Sequence, residues 1–429
     1  MKKKIVVVIM ACLFLAVIAG CEEQAAMDEP LAETVTEIPD MTEDGTQDIT
    51  QSPEELTTTP EPSPTPSLQE EPVITESPSQ EPYEDRMAAE LLKDYFYGKN
   101  ETGYTIIGIM NTEMQDIVIP DIVTRIEALS LNNNSYVTSL TVPDSVTYIG
   151  GIYFYGCSNL TTVDISTSVD FCRNIYFIDC TALKSVKLPE GLTEISENMF
   201  AGCTSLEKVV FPSTLEKIYG QNVQFAEFSY VVSSAFMDFS SLKHIELPYG
   251  IPRIDVYAFH NTGLTEVVLP DSVTEVKSGA FWGAKNLSRV VFSKNLQRIE
   301  ENAFRETAIS ECIIPEGVTF IGQQAFMLCN NLEYVSVPGT VKTIEQGAFD
   351  HCPNLREVYI EEGVESLGAM IFNVNPGLEK ITIPASVTSI GDFVYLADGV
   401  TIYTPAGSYA EKYFTENVLH TWNYTIVNN

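Results

Sequence analysis

The sequence predicts a mainly β solenoid, in which about twelve turns of 22 to 23 residues stack short parallel strands between small helical caps. Three observations predict it: a marker residue at regular spacing, apolar positions at fixed distances from that marker, and an aromatic residue in nearly every turn. The marker is a proline after a short β-branched run, replaced in three turns by Ser or Glu. It stands at Pro120, Pro143, Ser166, Pro189, Pro212, Pro248, Pro270, Ser293, Pro315, Pro338, Glu361 and Pro384, which define turns one to twelve.

Residues 1–20 are expected to be an export signal. Three lysines at positions 2–4 precede an apolar run over residues 5–19, which is shorter than the ~20 apolar residues of a membrane-spanning helix. The run ends in Ile-Ala-Gly-Cys at residues 18–21, which resembles the lipobox of bacterial lipoproteins. The resemblance implies cleavage before Cys21, lipid attachment to its thiol and anchoring at the outer face of a membrane. The alternative is an ordinary secretory signal with an incidental cysteine.

Residues 21–85 are expected to form a disordered, lipid-anchored stalk. The formal net charge of the chain is -35, and residues 22–85 contribute 19 acidic and no basic side chains, together with ten of the 23 prolines. Such a segment buries too little apolar surface to offset its ordering entropy. The acidic balance also argues against nucleic acid as a partner, because binding phosphates requires a basic surface.

Caps are expected at both ends of the repeats. Apolar residues at helical spacing, with Gly98 as a stop signal, predict a capping helix within residues 86–103. The solenoid itself is expected over residues 104–404. In the C-terminal cap, residues 405–429, Ser408 and Glu411 are spaced as a capping box that opens a helix to about Asn417, and a last strand is expected over residues 419–427. Such caps protect the open edges of a solenoid.

Within each turn, the residues before the marker predict a strand with one buried face. In turn ten, Leu332, Val335 and Val337 stand six, three and one positions before Pro338, and the alternation near the marker is the two-residue period of a strand. Further apolar residues follow three and six positions after the marker, and then comes the aromatic residue. Across the turns this residue is Phe154, Phe177, Phe200, Phe236, Phe259, Phe281, Phe304, Phe326, Phe349, Phe372 and Tyr395. A turn can bury these side chains only against its neighbours, at ~1.5 to 3 kcal/mol each.

The repeat resembles the BspA-like leucine-rich repeat family of bacterial and protist surface proteins. The segment from Leu332 through Phe349 to Cys352 displays the family pattern in full, and the resemblance covers residues 104 to about 404. It implies a leucine-rich repeat solenoid with a surface binding role, since certain members are adhesins for host matrix proteins or other cells. It supplies no transferable site residues.

The residues that carry chemistry in other proteins form no recognisable site here, so we expect no enzyme, cofactor or metal. Cys157, Cys180 and Cys203 are 23 residues apart, as are Cys329 and Cys352, which favours buried ladder positions over metal ligands. Adjacent members would lie close enough for an opportunistic disulfide. The four histidines are scattered, and the sequence contains no Cys-x-x-Cys pair, phosphate loop or hydrolase motif.

The candidate binding face is the outward side of the strands that precede the marker. Two positions before the marker, the later turns carry Val268, Val291, Ile313 and Tyr359, and the row four positions before it includes Arg289 and Tyr334. An apolar strip with a charged border is typical of a protein interface, although β-branched residues also favour strands on either face. A second candidate is the 36-residue turn before Pro248, whose extra residues include Phe225 and Phe228.

These features predict a surface lipoprotein that binds a protein or a cell-surface glycan without catalysis. The rival hypotheses are a lipoprotein that captures glycans or substrates for a transporter or hydrolase, and a structural spacer of the cell envelope without a dedicated ligand.

Overall fold

The strands predicted from the markers and the apolar positions form ladders, in which strands of successive turns pair in parallel. The computed structural model describes residues 83–165, 167–220, 234–392, 396–416 and 424–428. The strands that precede the markers form the marker ladder, with Val335, Val358 and Ile381 of successive turns directly in register. Its strands are Asp116–Val118, Ser139–Val142, Thr162–Ile165, Ser185–Lys187, Lys208–Val210, Glu266–Val268, Arg289–Val291, Glu311–Ile313, Tyr334–Val337, Glu357–Ile360, Lys380–Thr382, Thr401–Thr404 and Thr425–Asn428.

Two further ladders follow the markers. A short third ladder consists of Leu129–Asn132, Ile152–Tyr155 and Ile175–Ile178. In later turns its place is taken by tight turns with a left-handed residue two positions before the phenylalanine, for example Asn302 at φ 55° and Gly347 at φ 63°. The second ladder consists of Val123–Ile126, Tyr148–Ile149, Phe171–Cys172, Glu194–Ile195, Lys217–Ile218, Arg253–Ile254, Glu275–Val276, Arg298–Ile299, Phe320–Ile321, Thr343–Ile344, Ser366–Leu367 and Ser389–Ile390.

The core between the ladders is a continuous stack of phenylalanines, as predicted. The ten phenylalanines from Phe154 to Phe372 are 0–1% exposed. Successive rings lie 5.3–6.3 Å apart between centroids, mostly face to face. Tyr395 lies outside the described residues. The predicted fold class, a mainly β leucine-rich repeat solenoid, is therefore confirmed.

The expected twelve turns undercount the solenoid. Thr401–Thr404 pairs in parallel with Lys380–Thr382 and is followed by Pro405, 21 residues after the marker of turn twelve. Since this segment has the strand, the register and the proline of the other turns, it is a thirteenth turn.

At the N-terminus, the prediction of a capping helix within residues 86–103 is wrong in its second half. Helix α1 spans Tyr83–Leu91, and Tyr95–Asn100 then pairs antiparallel with Gly103–Ile109. The Asn100 side chain accepts hydrogen bonds from the backbone N–H groups of Thr102 and Gly103, at 2.9 and 3.0 Å. This local turn chemistry favours a hairpin, and Gly103–Ile109 begins the second ladder by pairing with Val123–Ile126.

At the C-terminus, helix α2 spans Tyr409–Glu416 and opens at the predicted Ser408. The Ser408 hydroxyl accepts a hydrogen bond from the Glu411 N–H at 3.1 Å, while the Glu411 carboxylate accepts one from the Gly407 N–H at 2.6 Å. These two bonds satisfy donors at the helix start. The last strand is Thr425–Asn428, which pairs with Thr401–Thr404.

Candidate binding face

The outward row of the marker ladder is exposed, because alternate residues of each strand point away from the core. In turns seven to nine, Val268, Val291 and Ile313 are 53%, 36% and 55% exposed, and Tyr359 in turn eleven is 40% exposed. The inward neighbours Val267, Cys312 and Val358 are 0–1% exposed. The four outward side chains, together with Ser336 between the last two, form what we name the apolar row.

Strand register brings the members of the apolar row together. Val268 lies directly beside Val291, and Ser336 lies beside both Ile313 and Tyr359. No strand pairing joins Arg289–Val291 to Glu311–Ile313 in the described sheets. However, the Ala308 N–H donates to the Leu287 carbonyl at 3.0 Å, so these two turns remain in contact. The row therefore spans five turns, with a break in strand pairing between turns eight and nine.

Ion pairs border the apolar row. Arg289, a predicted binding residue, lies 3.2 Å from the Glu266 carboxylate, with the two side chains 66% and 48% exposed. Lys380 lies 2.6 Å from Glu357, and this hydrogen bond raises the pKa of the Lys380 ammonium. Exposed ion pairs of this kind contribute little to stability. Their side chains can therefore exchange these contacts for contacts with a ligand at low cost in folding free energy.

The predicted Tyr334 and the unpredicted Tyr403 both belong to this face. Tyr334 is half-buried and lies in register between Glu311 and Glu357. Tyr403 is also half-buried, lies beside Thr382, and has the Lys380 ammonium 5.4 Å from its ring centroid. The signal that could have identified Tyr403 is Pro405, which marks its turn.

The second predicted candidate, Phe225 and Phe228 in the long turn, lies outside the described residues, and so does Cys21. The marker ladder is interrupted beside that turn. Lys208–Val210 has no strand partner in turn six, where residues 244–246 form no strand. A cavity of about 540 Å³ opens there, lined by Glu207, Lys208, Val209, Val210, Phe211, His244, Ile245 and Glu246.

The cysteine column has a structural role in this fold. All seven cysteines in the described residues are free, so the expected opportunistic disulfide is not present there. The Sγ atoms of Cys180, Cys203 and Cys352 lie 3.5, 2.9 and 3.3 Å from phenylalanine carbonyls of the preceding turn. Thr307 and Asn375 occupy the same position in other turns and also bond to phenylalanine carbonyls. The column therefore satisfies buried backbone acceptors.

The remaining titratable groups form no chemical centre in the described part of the chain. His260 is buried enough to lower the pKa of its imidazole, and its ring packs edge-on against Trp282. His351 instead contacts Asp350 at 2.8 Å. No group of three His, Cys, Asp or Glu side chains among the described residues is arranged to hold a metal ion.

Among the helices of the described residues, none has the length and apolar character needed to cross a bilayer.

Comparison with known proteins identifies the repeat. The sequence matches the family described as "BspA type Leucine rich repeat region", in six copies over residues 109–227, 219–333 and 319–401. No curated protein matches the sequence significantly.

Several solved structures are similar in fold. A leucine-rich repeat protein from Bacteroides ovatus is 17% identical, with a TM-score of 0.44, and the match covers 78% of this chain and 98% of that one. A leucine rich cell surface protein from Faecalibacterium prausnitzii is 20% identical, with a TM-score of 0.32 and coverages of 78% and 94%. The pneumococcal vaccine antigen PcpA is 12% identical, with a TM-score of 0.32 and coverages of 78% and 99%.

Proposed function

The chain belongs to the BspA type leucine-rich repeat proteins, a repeat family and not an enzyme family, and on this premise we propose that it binds a protein or cell-surface ligand without catalysis. The observation that carries the proposal is the apolar row, in which Val268, Val291 and Ile313 of turns seven to nine and Tyr359 of turn eleven expose 36–55% of their surface. An apolar strip with a polar border is the usual composition of the centre and rim of an interface.

The proposal places the chain at the bacterial cell surface. The lysines at positions 2–4, the short apolar run and the lipobox ending at Cys21 support export and lipid attachment. Attachment through two or more acyl chains would anchor the protein stably. The acidic, proline-rich residues 22–85 would then hold the solenoid away from the membrane.

A matched pair of double variants tests the proposal. The full chain is applied to an array of extracellular-matrix proteins and glycans, beside V291E/I313E and the control V118E/T141E. Val118 and Thr141 occupy the same outward position in turns one and two, and both are exposed, so the control adds the same charge to the same ladder away from the apolar row. We expect V291E/I313E to lose retention of a protein ligand by at least about tenfold while the control retains it.

Three other results would contradict the proposal in different ways. Equal losses in both double variants would show that the apolar row has no special role. Retention of glycans alone, unaffected by V291E/I313E, would favour a capture protein for a transporter or hydrolase. If the unmodified chain retains nothing, the structural spacer becomes the better hypothesis.

A further inference from the structure

The segment that joins Phe304 to the next strand is one residue shorter than its neighbours. We call the residues between each buried phenylalanine and the leucine or isoleucine that leads into the next strand a corner. The corner after Phe304 has four residues, 305–308, whereas the corners on either side, residues 282–286 and 327–331, have five. The phenylalanine rings before these three corners remain stacked at 5.3 and 5.4 Å, so the missing residue leaves a recess. A cavity of about 330 Å³ lies there, lined by residues of all three corners.

The short corner also frees an asparagine amide. Asparagine stands directly before the leucine that ends a corner at four places, Asn159, Asn286, Asn331 and Asn354. The Asn159 and Asn354 amides donate to carbonyls of the preceding turn, both at 2.7 Å. Asn286 and Asn331 instead follow four-residue corners, and their side chains are exposed and make no hydrogen bond among the described residues. The Asn331 amide, which lines the cavity, is therefore available to a ligand as both donor and acceptor.

Glu306 supplies a fixed acceptor in the same cavity. Its Oε1 accepts a hydrogen bond from the Trp282 indole N–H at 3.1 Å and lies 3.6 Å from the Arg305 Nε. Its Oε2 lies 3.8 Å from the Lys285 ammonium, which is longer than a hydrogen bond, and no donor among the described residues bonds to it. A ligand hydroxyl that bridges this pair can donate to the carboxylate and accept from the ammonium.

The rest of the lining is partly apolar. Ala308 and Leu328 are half-buried, and Asn330 contributes a second exposed amide. The Thr307 hydroxyl is already bonded to the Phe304 carbonyl at 2.9 Å. The cavity therefore combines an apolar surface with two amides and one ion pair.

We propose that this cavity binds a neutral pyranose residue of a glycan. A pyranose ring has an apolar C–H face and hydroxyl groups around its edge, and these match the apolar surface and the free polar groups. Lys285 and Glu306 carry opposite charges, so the lining offers no net attraction to a phosphate or a carboxylate ligand. At about 330 Å³ the cavity is at the small end of ligand sites, so it holds one ring while the rest of the glycan extends into solvent.

This site adds a ligand class to the proposed binding role and shares no residue with the apolar row. Retention of glycans without retention of a protein would contradict the role of the apolar row and leave the sugar site supported. Failure of sugar binding would leave the V291E/I313E experiment unaffected.

Saturation-transfer difference NMR on the full chain tests the proposal with the methyl pyranosides of glucose, galactose, mannose and N-acetylglucosamine. Sorbitol, an open-chain polyol without a ring face, and glucuronate, a charged pyranose, are the ligand controls. We expect at least one methyl pyranoside to bind and both controls to fail. Asn331→Ala should raise the dissociation constant about fivefold, the effect of one hydrogen bond, while the matched Asn286→Ala stays within about twofold.

An insertion tests the short corner itself. One serine inserted between Thr307 and Ala308 gives this corner the five residues of its neighbours and should abolish sugar binding. The same insertion between Thr262 and Gly263, in the four-residue corner before Asn286, should leave binding intact. Circular dichroism shows whether each insertion variant is folded, and the exposed Asn331→Ala keeps the test independent of folding.

Several results would overturn the proposal. No saturation transfer to any methyl pyranoside at tens of millimolar would do so, as would equal binding of sorbitol or glucuronate. Binding that ignores Asn331→Ala, equal effects of Asn331→Ala and Asn286→Ala, or binding that survives the insertion after Thr307 would place the sugar elsewhere on the protein.

Discussion

The phenylalanine stack should dominate the stability of the solenoid, and Phe304→Ala is its most direct perturbation. Phe304 is 0% exposed. Its ring stacks on Phe281 and Phe326 at 5.3 and 5.4 Å and packs edge-on against Phe292 at 5.6 Å. Truncating a buried phenylalanine costs about 3–5 kcal/mol, and the lost ring contacts place this site near the upper end of that range.

Phe320→Ala provides the matched control, since it removes the same side chain from a half-buried position in the second ladder. There the ring is covered by the Arg298 guanidinium at 4.2 Å, a contact that contributes about 0.5–1 kcal/mol. Urea unfolding followed by circular dichroism, and by the fluorescence of the two tryptophans, should show a loss of about 4–5 kcal/mol for Phe304→Ala and about 1 kcal/mol for Phe320→Ala. A loss below about 2 kcal/mol at Phe304, or equal losses at both sites, would refute the idea that the stack is the main source of stability.

Three further predictions concern buried polar groups and the C-terminal cap. Asn375→Ala should lower the free energy of unfolding by about 2–3 kcal/mol, because the Asn375 side chain accepts a hydrogen bond from the Cys352 N–H at 2.7 Å and donates one to the Phe349 carbonyl at 2.9 Å. The matched control is Asn354→Ala at an exposed position, which should lower the free energy of unfolding far less. Equal losses in urea unfolding would contradict this prediction. Burial raises the pKa of Cys329 to about 11 and that of Cys172 to about 12, from 9.0 when unfolded. The neutral thiols therefore stabilise the folded state fully below pH 9, and the free energy of unfolding should fall as the pH rises from 9 towards 11. This fall should be smaller in a C172A/C329A variant. If the variant shows the same pH dependence of the free energy of unfolding, these thiols are not its cause. Ser408→Ala should cost about 1 kcal/mol in thermal or urea unfolding, because the Glu411 N–H loses its acceptor; no change would show that the cap is dispensable.

The sequence was sufficient for those features that depend on spacing. The phase of Phe154 to Phe372, the inward valines and the outward Val268 and Ile313 all follow from the markers, because a residue at a fixed phase lies at the same place in every stacked turn. The N-terminal hairpin was missed because Met87, Leu91 and Tyr95 have helical spacing, whereas the Asn100 side-chain hydrogen bonds that form the turn leave only a short signal.

The cavity beside the long turn could not be predicted for a different reason. The 36-residue step before Pro248 indicates an insertion, but not whether the marker ladder continues through that turn. The outcome depends on how residues 244–246 pack against Lys208–Val210, a long-range contact that propensity does not encode. Tyr403, by contrast, was within reach of the sequence, since Pro405 continues the marker series at a shorter step.

The most direct measurement of the central claim, that the apolar row contacts the ligand, is site-specific photo-cross-linking. Benzoylphenylalanine is placed at Ile313, 55% exposed in the row, or at Tyr249, 72% exposed beside the marker of turn six. Each full chain is irradiated with the protein that the array identifies as ligand. Cross-linking from position 313 and none from position 249 is the predicted result. Cross-linking from 249 with none from 313 would contradict the claim.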